Sequence, residues 1–104
     1  MRDYVQEEKF LSALASSTRL EILDMISKEH TNPGDIAERL NKHRSSIEKH
    51  LRILVTAGII EKEPSLNERG QLSLRYRIRI DLSGLHSFVD AVLKNQNHKD
   101  NSTS

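Results

Sequence analysis

Hydrophobic positions along the chain fall into helical stripes separated by capping residues, with one alternating stretch near the middle. Val5, Phe10, Leu11 and Leu14 recur at helical spacing around Gln6, Glu7, Glu8 and Lys9, which predicts a helix over residues 3–15. Ser16, Ser17 and Thr18 interrupt it. Thr18 followed by Glu21 fits a capping box, so a second helix is expected from there to about Lys28, with Leu20, Ile22, Leu23 and Ile26 largely buried. Asn32-Pro33 opens a third: an Asn oxygen accepts first-turn amides, and Pro has no amide hydrogen to leave unpaired. Ile36, Ala37 and Leu40 form its inner face. Barely two turns long, it must be held by packing rather than by propensity. Asn41-Lys42-His43 is a turn. The fourth helix, about 44–57, has Ile47, Leu51 and Leu54 on one side, flanked by His50. Its other side carries Ser45, Lys49, Arg52 and Thr56, flanked by Ser46 and Glu48. Gly58 supplies the left-handed stop.

Residues 59–64 and 72–80 then read as a hairpin. Leu72, Leu74, Tyr76, Ile78 and Ile80 alternate with Ser73, Arg75, Arg77 and Arg79, which predicts one buried and one solvent face. Pro64 lacks a ladder donor and is expected where strand pairing ends. Asp81-Leu82-Ser83 caps a final helix to about Lys94, with Leu82, Leu85, Phe88, Val89, Val92 and Leu93 as its apolar stripe. The order α-α-α-α-β-β-α, mainly α with a small β-hairpin, is the layout of a winged helix-turn-helix. The expected organisation is one domain over 1–94 and a disordered polar tail over 95–104.

Charge changes the picture more than composition does. Residues 42–80 carry nine Lys/Arg against four Asp/Glu, a net +5, within a chain of net +1. A segregated basic patch is the footprint of a polyanion partner, although a solvated charged face gives the same count. There are no cysteines among the 104 residues, which removes disulfides, thiolate metal sites and Cys nucleophiles. No apolar run approaches a membrane span, and the charged N-terminus has no signal-peptide region. A cytoplasmic protein without membrane contact is expected.

The fourth helix has the properties of a reading element. The major groove admits one helix and presents a different donor and acceptor pattern for each base pair. Such a helix needs one face anchored in a core and another bearing short or flexible polar side chains. Ser45 and Ser46 can reach base edges or phosphates, and their amides lie near a helix start. Lys49 and Arg52 suit phosphates or guanine edges. Glu48 could accept from cytosine or simply pair with Lys49 or Arg52.

Several separated motifs resemble the ArsR-type winged-helix regulators. Leu14-Ala15-Ser16-Ser17-Thr18-Arg19-Leu20-Glu21-Ile22-Leu23 is similar to that family's L-A-(D/S)-x-T-R-L-x-I-L signature. Residues 44–54, RSSIEKHLRIL, with Ala57-Gly58-Ile59-Ile60, resemble its S-x-S-T-V-S-x-H-L-x-x-L-x-x-A-G-L-V segment. Arg69-Gly70 and Tyr76-Arg77-Ile78 are similar to its wing. The resemblance implies a double-stranded-DNA-binding transcriptional regulator, often a repressor, whose recognition helix starts at Arg44 and whose wing tip lies near residues 68–71. It implies Arg69 as a minor-groove or backbone contact. Arg75 and Arg77 are further candidates, although charged residues on an exposed strand also protect sheet edges. His50 matches a position usually packed in the motif; His43 stands where the family more often has Ser. The resemblance also implies a homodimer through the terminal helices, and these carry more apolar residues than a small core needs: Val5, Phe10, Leu11, Leu85, Phe88, Val89 and Val92.

Other chemistries find little in the sequence. The cysteine metal-sensing site of some family members is absent, and His86 with Asp90 is half a site at most, so no metal or other cofactor is expected. No nucleophile elbow, phosphate loop or HExxH motif points to an enzyme. RNA binding would need exposed aromatic platforms, whereas Tyr4, Phe10, Tyr76 and Phe88 are better placed in a core or a dimer interface. The alternative of weight is a winged helix that binds protein and has no DNA affinity.

Overall fold

A computed structural model describes residues 3–103, with side chains as far as residue 94. The element order is α1 (Val5–Leu14), α2 (Ser17–Ser27), α3 (Pro33–Leu40), α4 (Arg44–Thr56), β1 (Ile60–Leu66), β2 (Leu72–Ile78) and α5 (Leu82–Thr103). Five helices and a two-stranded antiparallel hairpin make a winged helix-turn-helix. The expected disordered tail from Asn95 falls outside the residues whose side chains are described.

One core joins every element. Ile22, Leu23 and Ile26 of α2, Ile36 and Ala37 of α3, Ile47, Leu51 and Leu54 of α4, and Ile59 and Ile60 at the hairpin base are all buried. Ala13 and Leu14 close it from α1 and Tyr76 from β2. Phe10, Leu82 and Leu85 pack against its margin. The inner faces of α3 and α4 match the helical periodicity. Leu20 does not: expected in the core, it is exposed. At 100° per residue it falls outside the stripe made by the buried Ile22, Leu23 and Ile26.

Caps explain where the helices begin. α2 is capped by Ser16, whose Oγ accepts from the Arg19 amide at 3.3 Å, and not by the expected Thr18–Glu21 box. Three hydroxyl residues in a row offered three cap positions, and the α1–α2 junction selects the first. α3 is capped as expected, with Asn32 Oδ1 accepting from the Gly34 and Asp35 amides at 2.8 and 3.2 Å. The helix ends at Asn41 in the left-handed region, φ 54°, and Lys42 donates back to the Ala37 carbonyl at 2.9 Å. Asn tolerates that backbone better than most residues, so the turn leading into α4 is tightly defined. Gly58, φ 77°, ends the α4 segment and turns the chain into β1. α5 starts on Asp81, whose Oδ1 accepts from the Gly84 amide at 3.1 Å and the Ser83 hydroxyl at 2.7 Å.

The hairpin departs from expectation in two respects. Pairing continues past Pro64, which lies opposite Leu74, to the pair Leu66–Leu72. Both strands are edges, so a proline whose missing donor faces solvent costs no ladder bond. The apolar face of β2 is also only partly buried. Tyr76 is covered and Ile78 half-covered, but Leu72 and Leu74 are exposed. The alternation sets which side a residue takes. The hairpin then runs outward past the last helix that could cover it.

Both terminal helices keep apolar surface in solvent. Tyr4 just before α1 and Val5 and Leu11 on it are exposed, as are Phe88, Val89, Val92 and Leu93 on α5. Within the described residues no helix is long and apolar enough to cross a membrane. Leu51, fully buried where α4 meets the core, should be the most sensitive anchor. Leu51→Ala is expected to lose about 3 kcal/mol of unfolding free energy in urea denaturation.

Candidate nucleic-acid interface

Anchoring of one α4 face leaves the opposite one free. Ile47, Leu51 and Leu54 are buried, while Arg44, Ser45, Lys49, Arg52 and Thr56 are exposed and Ser46 and Glu48 half-exposed. His43 caps α4 without a side-chain hydrogen bond, unlike Ser16 and Asn32 on the two preceding helices. The amides opening α4 therefore keep no side-chain acceptor at the cap. Glu48 is paired with Arg44, its Oε1 3.1 Å from Nε, rather than with Lys49 or Arg52. Both side chains are exposed, so the pair is weak.

A cleft of about 420 Å³ separates α4 from the wing. Arg44, Glu48 and Arg52 line one wall; Lys62, Ser73 and Leu74 line the other, with Tyr76 at its base. The Lys62 ammonium stands 5.9 Å from the centre of the Tyr76 ring, within cation–π range. Three cations against one carboxylate make the cleft positive. Lys62 is missing from the sequence-derived candidates. Its signal was the register of β1, which places it opposite Tyr76 and on that residue's side of the sheet.

At the wing tip, Asn67 organises the turn. Its Oδ1 accepts from the amides of Arg69 and Gln71 at 3.0 and 2.9 Å, and its carbonyl accepts from Gly70 at 2.9 Å. Gly70 has φ 75°, a conformation in which a Cβ would be strained. Arg69 is thus presented, exposed, on a closed turn. Arg75 and Arg77 are placed differently. They share the other sheet face with Glu63 and Glu61: Arg75 Nε lies 3.0 Å from Glu63 Oε1, and Arg77 Nη2 2.6 Å from Glu61 Oε1. These cross-strand pairs are the edge-protecting role that the alternation allows. The structure does not bring Arg75 and Arg77 together with the α4 cations.

Behind α4, Arg19 ties three helices together. Its Nε donates to the Ala13 carbonyl at 2.6 Å and Nη2 to the Ser12 carbonyl at 3.2 Å, while Nη1 lies 3.1 Å from His50 Nδ1. Arginine can only donate, so His50 accepts at Nδ1 and the ring is neutral. Burial first, then the charges of Arg19, Lys49 and Lys42, hold the His50 pKa below its ordinary 6.5. His50, expected to be packed in the core, is only part-buried, at the core's edge with Arg19 as its polar partner. His86 and Asp90 are both exposed on α5, and among the described residues no cluster of three His, Asp or Glu could hold a metal.

Comparison with known proteins agrees with this geometry. Residues 16–62 match the family model of the bacterial regulatory protein, arsR family. No curated protein matches the chain. Among solved structures, a possible transcriptional regulatory protein (fragment 1–100) from Mycobacterium bovis is similar, with a TM-score of 0.64 and 25% identity. The alignment covers 86% of this chain and 91% of that one.

The Arg19–His50 contact has a measurable consequence. Protonating His50 would set an imidazolium against a guanidinium. Its folded pKa is depressed, so the unfolded state binds the proton more tightly, and stability falls as pH drops below 6.5. The loss levels off once pH is below the depressed value. Urea midpoints measured from pH 7.5 to 5 should fall more steeply for the natural protein than for His50→Gln.

Residues 16–62 are thus similar to the helix-turn-helix of the arsR family of bacterial regulatory proteins, and this match together with the regulator-like neighbour supports a DNA-binding transcriptional regulator.

Proposed function

We propose that this protein is a homodimeric repressor that lays α4 in the major groove of a specific duplex and sets the wing beside it. The observation carrying the reading is the division of α4 into a buried apolar face and an exposed Ser45, Lys49, Arg52 and Thr56 face, next to a positive cleft. In this reading Ser45 and Ser46 meet base edges or the nearest phosphate, and Lys49 and Arg52 take phosphates or guanine edges. Glu48 offers an acceptor to cytosine when Arg44 turns to the backbone. The DNA strand between the two grooves runs through the cleft, along Arg44, Arg52 and Lys62, and Arg69 meets the backbone or minor groove beyond it. Arg75 and Arg77 add backbone contacts only by releasing Glu63 and Glu61, a small cost for exposed pairs.

Two-fold pairing is supported by the apolar residues that α1 and α5 leave in solvent. Val5, Leu11, Phe88, Val89 and Val92 would cover one another between copies, while Phe10 and Leu85 already pack partly on the core of their own chain. A dimer bound across a promoter represses by excluding the polymerase. The alternative, a protein-binding winged helix without DNA affinity, gives the cations of α4 and the cleft nothing to bind.

Lys49→Ala and Arg52→Ala should each weaken duplex binding, and loss of one phosphate contact should lower the slope of log affinity against log salt by about one. Unchanged affinity in the double variant would exclude α4 as the reading helix. Sedimentation at micromolar concentration should return about twice the chain mass of 11.9 kDa; a monomer mass would remove the dimer. A promoter fusion should be silenced by the natural protein and released by the double variant.

A further inference from the structure

The wing carries an apolar strip that neither the core nor the charge distribution uses. Leu66 is 71% exposed, Leu72 76% and Leu74 55%. The ladder pairs Leu66 with Leu72 and Pro64 with Leu74, so these four residues form one continuous patch. They share their sheet face with Lys62 and Tyr76, and Leu74 reaches the cleft lined by Arg44 and Arg52. The patch therefore continues the positive cleft outward to the tip that holds Arg69. Scattered exposed leucines need no explanation, but a contiguous patch rimmed by cations marks a contact surface.

From these observations, and resting on the duplex-binding reading above, we infer that Leu66 and Leu72 form an apolar wedge that enters the minor groove and bends the DNA. The strands rise about 3.3 Å per residue, so Leu72 lies roughly 13 Å beyond Tyr76 at the cleft base. That reach carries it past a backbone strand held in the cleft and into the adjacent groove. An unbent minor groove is about 6 Å wide, too narrow for a two-stranded ribbon with paired leucines. Entry requires the groove to widen, and apolar side chains that enter it unstack base steps and kink the duplex towards the major groove. Deformable pyrimidine–purine steps are favoured beneath the wing. The wedge thus reads sequence through deformability at positions where α4 makes no contact.

The test is the double variant Leu66→Thr/Leu72→Thr, which keeps strand propensity and replaces the exposed apolar side chains with shorter polar ones. A duplex that the natural protein binds is labelled at both ends for energy transfer. The variant should keep the natural urea midpoint, lose about tenfold in affinity, leave the salt slope unchanged and bend the duplex less. Natural affinity and natural energy transfer in the variant would overturn the wedge, with duplex binding itself intact. A weakened variant whose sedimentation mass has also fallen would overturn it too, because the strip would then be a contact between copies. If the variant shifts the urea midpoint, Leu72→Thr alone is measured by the same transfer signal. A natural protein that binds no duplex would instead remove the reading beneath the wedge.

Discussion

Everything exposed on α4 depends on how firmly its other face is held. Ile47, Leu51 and Leu54 are wholly buried against α2, α3 and the base of the hairpin, and that contact fixes the rotation of the helix about its own axis. A helix of 13 residues has little stability alone. Its orientation comes from tertiary packing, from the left-handed turn at Asn41 before it, and from Gly58 after it. Rotation by one residue, about 100°, would bring Arg52 to the core side. The apolar anchor and the cationic face are therefore one constraint seen from two sides, and Arg19 with His50 reinforces it by linking α1, α2 and α4 through one guanidinium.

Positive charge is divided between two faces of the wing with different roles. On the outer face, arginines of β2 stand opposite glutamates of β1 and hold the hairpin in register. On the inner face Lys62 stands over Tyr76 and turns towards α4. A count of charges along the chain adds both together. The structure separates an ion-paired face from one whose cations meet those of α4. Exposed ion pairs on the outer face are weak, yet they stiffen a ribbon that has a core only at its base.

Much of this was legible in the sequence because it depends on local periodicity and capping chemistry. The stripes of α3 and α4, the Asn32-Pro33 start and the Gly58 stop all act within a few residues, and the family resemblance extended the same motif. The misses concern distance in space. Three adjacent hydroxyls cannot reveal which one caps α2, since Ser16 wins through the geometry of the α1–α2 junction. Alternation in β2 gives side but not depth, so Leu72 and Leu74 looked buried although nothing reaches over them. Local pattern does not mark the contact of Arg19 with His50 or the place of Lys62 in the cleft, because both depend on the fold. Nor could pattern alone show that Asn67 bonds two tip amides and so fixes how Arg69 is presented.

The most direct test of the account is selection of bound sequences from a pool of random duplexes, using the natural protein at moderate salt. The account predicts enrichment of a pseudo-palindrome with half-sites about one helical turn apart, lost when Lys49 and Arg52 are both replaced by alanine. A pool that stays random, or one enriched equally by the double variant, would contradict it.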